Sequence, residues 1–342
     1  MHIPDNYLSP QTNGVLACAM IPVWAHCARR VRRDLDQGHL AFLGVAAAFS
    51  FLLMMFNVPL PGGTTGHAVG GTLVALLLGP EAACVAVSVA LALQALLFGD
   101  GGVLAFGANC FNMAFVLPFV GYGVYRHVMG RGREAQAGPA RKRAAMAVGA
   151  WCGINAATLC AAVELGIQPA LFRDAAGGAL FCPYPLSVSV PAMCLPCLLV
   201  AGAVEATATV GIYEFVRRTA PGCIVATPDA GRTAGSSLVP VSFLVLGLAV
   251  ATPLGLLAQG DAWGEWGVPA LAERVGAVPA GMEGGFAFGA LMPDYSLAGL
   301  PSFAGYALSA VIGAASLVIA FKLLSGALGR TASDAGDEGA KA

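Results

Sequence analysis

Charged side chains are scarce in this sequence. Only 11% of its 342 residues are Asp, Glu, Lys or Arg, whereas 57% are hydrophobic and the mean hydropathy is +0.75. Soluble domains devote about 25% of their residues to those four side chains. A soluble fold is therefore excluded, because a chain of this length cannot bury so much apolar surface. The net charge of −1 also excludes a basic surface for nucleic acid.

Several catalytic and targeting signals are absent as well. The sequence has no His-Glu-x-x-His zinc motif, no Gly-x-Ser-x-Gly elbow and no Walker A loop. We therefore expect no enzymatic activity and no ATP hydrolysis by this chain. A secretory signal begins with basic residues, but here the arginines follow the first apolar stretch. We expect Met1 to stay on the mature protein.

Apolar runs dominate what is present. A bilayer core needs about 20 apolar residues per helix, and the sequence predicts nine spans: Leu8–Ala28, Leu40–Val58, Ala68–Leu78, Glu81–Phe98, Val103–Tyr125, Ala144–Glu164, Leu186–Val216, Pro240–Leu257 and Tyr306–Leu324. The third would be only about 16 Å long as a helix. We expect that span to be partly re-entrant or buried among its neighbours.

The few basic residues orient these spans. If the N-terminus lies outside, 16 of the 18 Lys and Arg residues fall in the cytoplasm, and only Arg173 and Arg274 fall outside. The sequence therefore predicts an all-α integral membrane protein with an extracytoplasmic N-terminus and a cytoplasmic C-terminus. Its organisation would be a seven-span bundle (1–219), a cytoplasmic linker (220–238), two C-terminal spans (239–328) around an external loop (258–305), and a disordered tail (329–342).

Of the five histidines, this topology places only His2 and His67 on the external side. The α-amine of Met1 and the backbone and imidazole nitrogens of His2 can chelate a metal in one plane, and His67 could complete the square. Such a nitrogen set suits Ni(II) or Cu(II) and hardly suits Mg or Ca. Binding would displace protons and weaken in acid. The alternative interpretation is a frayed terminus without function.

Three segments carry a family resemblance: Met1–Pro10 (MHIPDNYLSP), Pro61–Pro80, and the stretch from Gln94 to Met113. Together they resemble the CbiM/NikM family, the substrate-capturing S-components of energy-coupling-factor (ECF) transporters for nickel and cobalt. The similarity covers about residues 1–218. One departure is Asn6, where the family pattern has glycine. Asn tolerates left-handed backbone conformations, so we expect the turn to be kept.

The resemblance implies that Met1, His2 and His67 are metal ligands and that Ni(II) or Co(II) is the transported substrate, with no permanent cofactor. It implies a transmembrane coupling subunit and cytosolic ATPase subunits as partners, in a bacterial cytoplasmic membrane. The C-terminal unit resembles the accessory subunit NikN or CbiN, here fused to the capture domain.

Three other functions remain open at this point. The chain could be an ECF component for another small substrate such as a vitamin, or a membrane assembly subunit that transports nothing. An intramembrane enzyme using His67 with Glu205 would require both residues on one side, and the predicted topology places them on opposite sides. Glu205, deep in the seventh span, could instead bond helices together or assist a conformational change. Asn109 and Asn112 could support the metal ligands from behind.

Overall fold

The computed structural model describes residues 1–130, 136–225, 238–258 and 260–339, and within them the chain is mostly helical with little strand, which confirms the all-α prediction. A two-stranded antiparallel hairpin interrupts the helices, with β1 at Val58–Leu60 and β2 at Thr64–Gly66. The helices are α1 (Pro10–Asp34), α2 (Gln37–Met55), α3 (Gly71–Leu78), α4 (Pro80–Phe98), α5 (Phe106–Met129), α6 (Pro139–Leu171), α7 (Leu186–Thr219), α8 (Val239–Leu257), α9 (Val268–Val275) and α10 (Ser302–Gly339).

Within the described residues, seven helices are long and apolar enough to cross a membrane: α2, α4, α5, α6, α7, α8 and the part of α10 from Ser302 to Ser325. They correspond to seven of the nine predicted spans. The exposed face of this bundle carries large apolar side chains such as Leu199 and Phe243, each 68% exposed. A lipid surface accommodates such side chains without a penalty, so the chain is a multi-pass membrane protein.

The remaining two predicted spans are helices that are either less apolar or shorter than a membrane-spanning helix. Helix α1 is 25 residues long, but its last turns hold Arg29, Arg30, Arg32 and Arg33, which lower its hydropathy. Helix α3 has only eight residues, about 12 Å, and all of them are buried. The third span is therefore shorter than predicted and lies among its neighbours, because Gly70 takes a left-handed conformation (φ 72°) and starts the helix late.

The segment between β2 and α4 nevertheless connects the two ends of the bundle. His67 lies beside the N-terminus at one end. At the other end, the carbonyl of Leu77 accepts a hydrogen bond from the backbone N–H of Val225, which follows α7. An irregular backbone at such a depth is tolerated only where protein groups satisfy its polar atoms. The neighbours of residues 67–70 therefore decide how that segment is held.

The C-terminal unit packs against α2. Gly313 lies against the ring of Phe51 and Gly44 lies against Phe321, so α10 and α2 approach closely at small residues. The Tyr306 hydroxyl donates a hydrogen bond of 2.8 Å to the Met55 carbonyl oxygen at the end of α2. The predicted external loop contains α9, and the following helix begins at Ser302, slightly before the predicted span.

Two predicted segments lie at the limits of the described structure. Most of the predicted linker, residues 226–237, lies outside the described residues. Helix α10 is described as far as Gly339, and the disordered tail over residues 329–342 stays a prediction. Residues 340–342 lie outside the described part.

Candidate metal centre

The first nine residues pack into one end of the bundle and are anchored to the turn after α4 and to the start of α5. The Ile3 backbone pairs with the Asn109 side chain in both directions: Ile3 N–H donates to Oδ1 at 2.8 Å, and Nδ2 donates to the Ile3 carbonyl at 3.0 Å. The Asp5 carboxylate accepts hydrogen bonds from the backbone N–H groups of Val103 (3.2 Å) and Leu104 (2.7 Å). These contacts fix the path of the terminus.

Asn6 forms the turn in this segment, as predicted. Its φ is 68°, in the left-handed region. Its side chain also exchanges two hydrogen bonds with the Phe286 backbone, donating from Nδ2 at 2.9 Å and accepting at Oδ1 at 3.0 Å. Glycine would provide the turn without these bonds. Asn6 therefore joins the N-terminal segment to the loop of the C-terminal unit.

We expect Asn6→Ala to destabilise the protein more than Asn6→Gly does. Both variants lose the bonds to Phe286, but only alanine must also adopt a left-handed conformation, at a cost of about 1–2 kcal/mol. Thermal unfolding of the purified variants in detergent measures the difference. Equal melting temperatures for the two variants would show that the turn conformation carries no strain.

His2 and His67 face each other inside this end of the bundle, each only 4% exposed. His67 Nε2 lies 3.3 Å from His2 Nδ1, and His67 Nδ1 lies 3.1 Å from the Ala68 carbonyl oxygen. Because a carbonyl only accepts, His67 carries its proton on Nδ1 and turns the Nε2 lone pair towards His2. Two nitrogens bound to one metal at right angles, with bonds of about 2 Å, are about 2.8 Å apart, so a small closing movement would let both rings bind the same ion.

The environment of His67 favours the form that binds metals. Burial, together with the positive charge of the Met1 amine and the neighbouring His2, holds the pKa of His67 well below its usual range. A neutral imidazole offers a lone pair, whereas an imidazolium offers none. His67 is therefore ready to act as a ligand without first losing a proton.

The Met1 amine and two carboxylates border the histidine pair. The amine donates to Glu265 Oε1 at 2.7 Å, and Asp100 Oδ1 lies 3.4 Å from His2 Nδ1. The potential ligand atoms of His2, Asp100 and Glu265 all lie within 4.8 Å of one another. The Thr158 hydroxyl donates to Met1 Sδ at 2.7 Å, which holds the Met1 side chain in the adjacent pocket.

Asp100 is held by donors from two parts of the chain. The Tyr295 hydroxyl, from the C-terminal unit, donates a hydrogen bond to Asp100, and Gln94 Nε2 donates to both residues. Burial, with the nearby Asp100 carboxylate, raises the pKa of Tyr295 well above its usual value. The phenol therefore stays protonated and remains a donor to Asp100.

The structure brings together Met1, His2 and His67, the three residues singled out from the sequence: the two rings are in contact, and Met1 lines the same pocket as His67. Asn109 supports the terminus as expected. Asn112 does not, because its Nδ2 donates to Glu164 at 2.7 Å instead.

Sequence reasoning missed Asp100 and Glu265 as neighbours of the site. Asp100 lies in the Gly99–Gly102 turn that contributed to the family resemblance, which was an available signal. Glu265 lies in a loop of the C-terminal unit, and no motif in the sequence indicates that it reaches Met1.

The predicted separation of Glu205 from His67 is wrong. The Glu205 carboxyl accepts hydrogen bonds from the backbone of Val69 and Gly70, close to His67 in the chain. The irregular segment before α3 reaches into the bundle far enough to meet the middle of α7. Both carboxyl oxygens are occupied by N–H groups, so this proximity does not make the pair a catalytic dyad.

Comparisons with known proteins identify the family of the chain. A family described as the cobalt uptake substrate-specific transmembrane region matches residues 2–223. The chain belongs to this family. A second match, to the PDGLE domain, covers residues 238–330 and corresponds to the C-terminal unit. The chain is therefore a CbiM-family domain followed by a CbiN-like domain, in a multi-pass protein of the bacterial inner membrane.

Two similar proteins share both parts, and a third shares the larger one. A probable fused nickel transport protein, LarMN, of Lactiplantibacillus plantarum is 49% identical over 95% of this chain and 96% of its own. The fused nickel transport protein NikMN of Rhodobacter capsulatus is 45% identical over 95% of this chain and 97% of its own. A crystal structure of a truncated transition metal transporter, 49% identical, covers 64% of this chain and 99% of its own, with a TM-score of 0.59.

Proposed function

We propose that this protein is the substrate-capturing membrane subunit of an ECF-type transporter that imports Ni(II) or Co(II). The observation that carries the proposal is the convergence of the Met1 amine, His2 and His67 in one buried site. The amine, the backbone and imidazole nitrogens of His2, and Nε2 of His67 would form the planar set. The metal is the transported substrate in this proposal.

The chemistry of the donors favours nickel. Four nitrogens in a plane suit Ni(II), whose preferred geometries include the square plane. The two fused relatives named above are described as nickel transport proteins. We propose nickel as the preferred cargo, with cobalt as the competing ion.

The acidic groups around the site would assist capture. Asp100 and Glu265 lie beside the nitrogen donors and are partly accessible, at 23% and 20% exposure of their side chains. Carboxylates at the mouth of a site raise the local concentration of cations. Metal binding must displace the proton of the Met1 amine and, with it, the ion pair to Glu265.

Energy would come from other subunits, because the sequence has no phosphate-binding loop of its own. We propose a transmembrane coupling subunit and cytosolic ATPase subunits as partners. With the basic residues in the cytoplasm, the end of the bundle that carries Met1 faces outside. Metal would enter there and leave towards the cytoplasm.

The proposal predicts about one tightly bound metal per chain. Full-length protein purified in detergent is incubated with equal amounts of Ni(II) and Co(II), desalted, and analysed by mass spectrometry of the elements. We expect nickel in excess of cobalt and a visible absorption band typical of planar Ni(II). A vitamin carrier or an assembly subunit would retain neither ion, and that result would contradict the proposal.

A further inference from the structure

Glu205 is a fully buried carboxyl in the middle of α7, with 0% exposure. Its Oε2 accepts hydrogen bonds from the backbone N–H of Val69 at 2.7 Å and of Gly70 at 3.0 Å, and its Oε1 accepts from Gly70 at 3.0 Å. Both N–H groups belong to the short segment between His67 and α3. Glu205 therefore holds the backbone that carries His67.

One of these bonds reaches His67 through a single peptide group. The N–H of Val69 and the carbonyl of Ala68 belong to the same peptide unit. That carbonyl oxygen accepts the proton of His67 Nδ1 at 3.1 Å. A continuous chain of hydrogen bonds thus runs from the Glu205 carboxyl, across one peptide group, to the imidazole ring. The far ring nitrogen, Nε2, is the atom turned towards His2.

We propose that Glu205 is a positioning residue for His67: through the Ala68–Val69 peptide it fixes the ring orientation and keeps the proton on Nδ1. A hydrogen bond accepted from a peptide N–H polarises that peptide and strengthens its carbonyl as an acceptor. A metal-binding histidine whose other nitrogen donates to a good acceptor has a fixed tautomer and a more basic ligating nitrogen. The tautomer part of this proposal does not depend on the proposed function, whereas the effect on metal binding rests on it.

The surroundings of the segment show why the peptide itself can transmit this effect. The carbonyl of Val69 accepts a hydrogen bond of 2.7 Å from the Ser50 hydroxyl, on α2. Gly70 has a positive φ, and a side chain there would run into Leu53. The segment is held between α2 and α7 and cannot rotate freely. A substitution of Glu205 must therefore change how strongly the Ala68 carbonyl accepts a hydrogen bond.

Burying the Glu205 carboxyl costs more free energy than is needed merely to accept hydrogen bonds from two backbone N–H groups. Buried ionisable groups in membrane-spanning helices are costly, and a neutral acceptor would serve the same purpose. A strong acceptor has an advantage where it must polarise a neighbouring group, because the low-dielectric interior strengthens such a chain of bonds.

Glu164 provides a matched control. It is also buried in a membrane-spanning helix, α6, with 7% exposure, and its Oε2 accepts from the Asn112 side chain at 2.7 Å. Its carboxyl does not contact the segment around His67 in the described hydrogen bonds. Glu164→Gln therefore reproduces the loss of stability from replacing a buried carboxyl, but leaves the hydrogen bonds between Glu205 and His67 intact.

The experiment compares full-length wild type, Glu205→Gln and Glu164→Gln in detergent. Protein labelled with ¹⁵N-histidine reports the tautomer of each imidazole by its nitrogen chemical shifts, and the spectrum of His67→Ala assigns the signals of His67. Without metal, we expect wild type and Glu164→Gln to show His67 protonated only at Nδ1. Glu205→Gln should show a mixture of tautomers, since its amide is a weaker acceptor.

The same three proteins are then titrated with Ni(II) alone. We expect the affinity of Glu205→Gln to fall by about 10- to 100-fold, with a shifted visible absorption band, while Glu164→Gln keeps the wild-type values. An unchanged tautomer and affinity in Glu205→Gln, or equal changes in both variants, would overturn the proposal.

Two further measurements distinguish a failure of this proposal from a failure of folding and from a failure of the proposed function. If Glu205→Gln does not fold, Glu205→Asp replaces it, because aspartate keeps the carboxyl on a side chain one carbon shorter. We expect the same changes in tautomer and affinity, but smaller. Unchanged tautomer and affinity in Glu205→Asp would overturn the proposal. If wild type binds neither nickel nor cobalt, the proposed function fails. The tautomer measurement without metal still decides the role of Glu205.

Discussion

Adding a single alanine before Met1 is expected to abolish stoichiometric nickel binding. The extension converts the α-amine into a peptide nitrogen and moves the new amine one residue away from His2. The chelate then loses its terminal donor, and the ion pair with Glu265, 2.7 Å in the native chain, is also lost. His2→Ala should have the same outcome, because it removes the imidazole from the same chelate.

The measurement is the nickel content of the purified protein after desalting, in a form of the extended chain that retains the added residue. An alanine added after Ala342 serves as the matched control and should leave binding unchanged, because it lies at the other end of the chain. The proposed site would be wrong if the N-terminally extended protein bound one nickel with wild-type affinity.

Replacing His67 by alanine is expected to lower nickel affinity by more than the roughly 10- to 100-fold that follows loss of a group behind a ligand. The change removes Nε2, which lies 3.3 Å from His2 Nδ1, and leaves three donors from residues 1 and 2. A water or a carboxylate such as Asp100 would have to fill the fourth position. We therefore also expect the visible band of any nickel complex to move to longer wavelength.

His127→Ala is the matched control for this change. His127 is exposed and lies near the end of α5, away from the N-terminal segment. Titration with Ni(II) under identical conditions should give the wild-type affinity for that variant. If His67→Ala and His127→Ala bound nickel equally well, His67 would not be a ligand.

The scarcity of charge made much of the fold predictable. Long apolar runs separated by arginines predicted the helices, and seven of the expected spans are long, apolar helices. Sorting the histidines by side selected His2 and His67, which the structure places in contact. These inferences depended only on local hydropathy and on alternation between two sides, and both are properties of the sequence itself.

The parts that could not be predicted depend on contacts between distant residues. Glu265 reaches Met1 across 264 positions, and Glu205 reaches Gly70 across 135. No local pattern encodes such pairings, and the assumption of full-length spans placed Glu205 too far from His67. The late start of α3 at Gly71 also depends on distant residues, because hydrogen bonds to α2 and α7 hold the segment before it.

The ion pair between Met1 and Glu265 joins two domains that are parts of one polypeptide. Because the two domains share one chain, the contacts between them are intramolecular and do not depend on the protein concentration. The contacts of Glu265, Tyr295 and Phe286 with the CbiM-family domain can then be individually weak and still remain formed. Fusion also fixes the ratio of the two domains at one to one, so the CbiM-family domain is never made without the C-terminal unit.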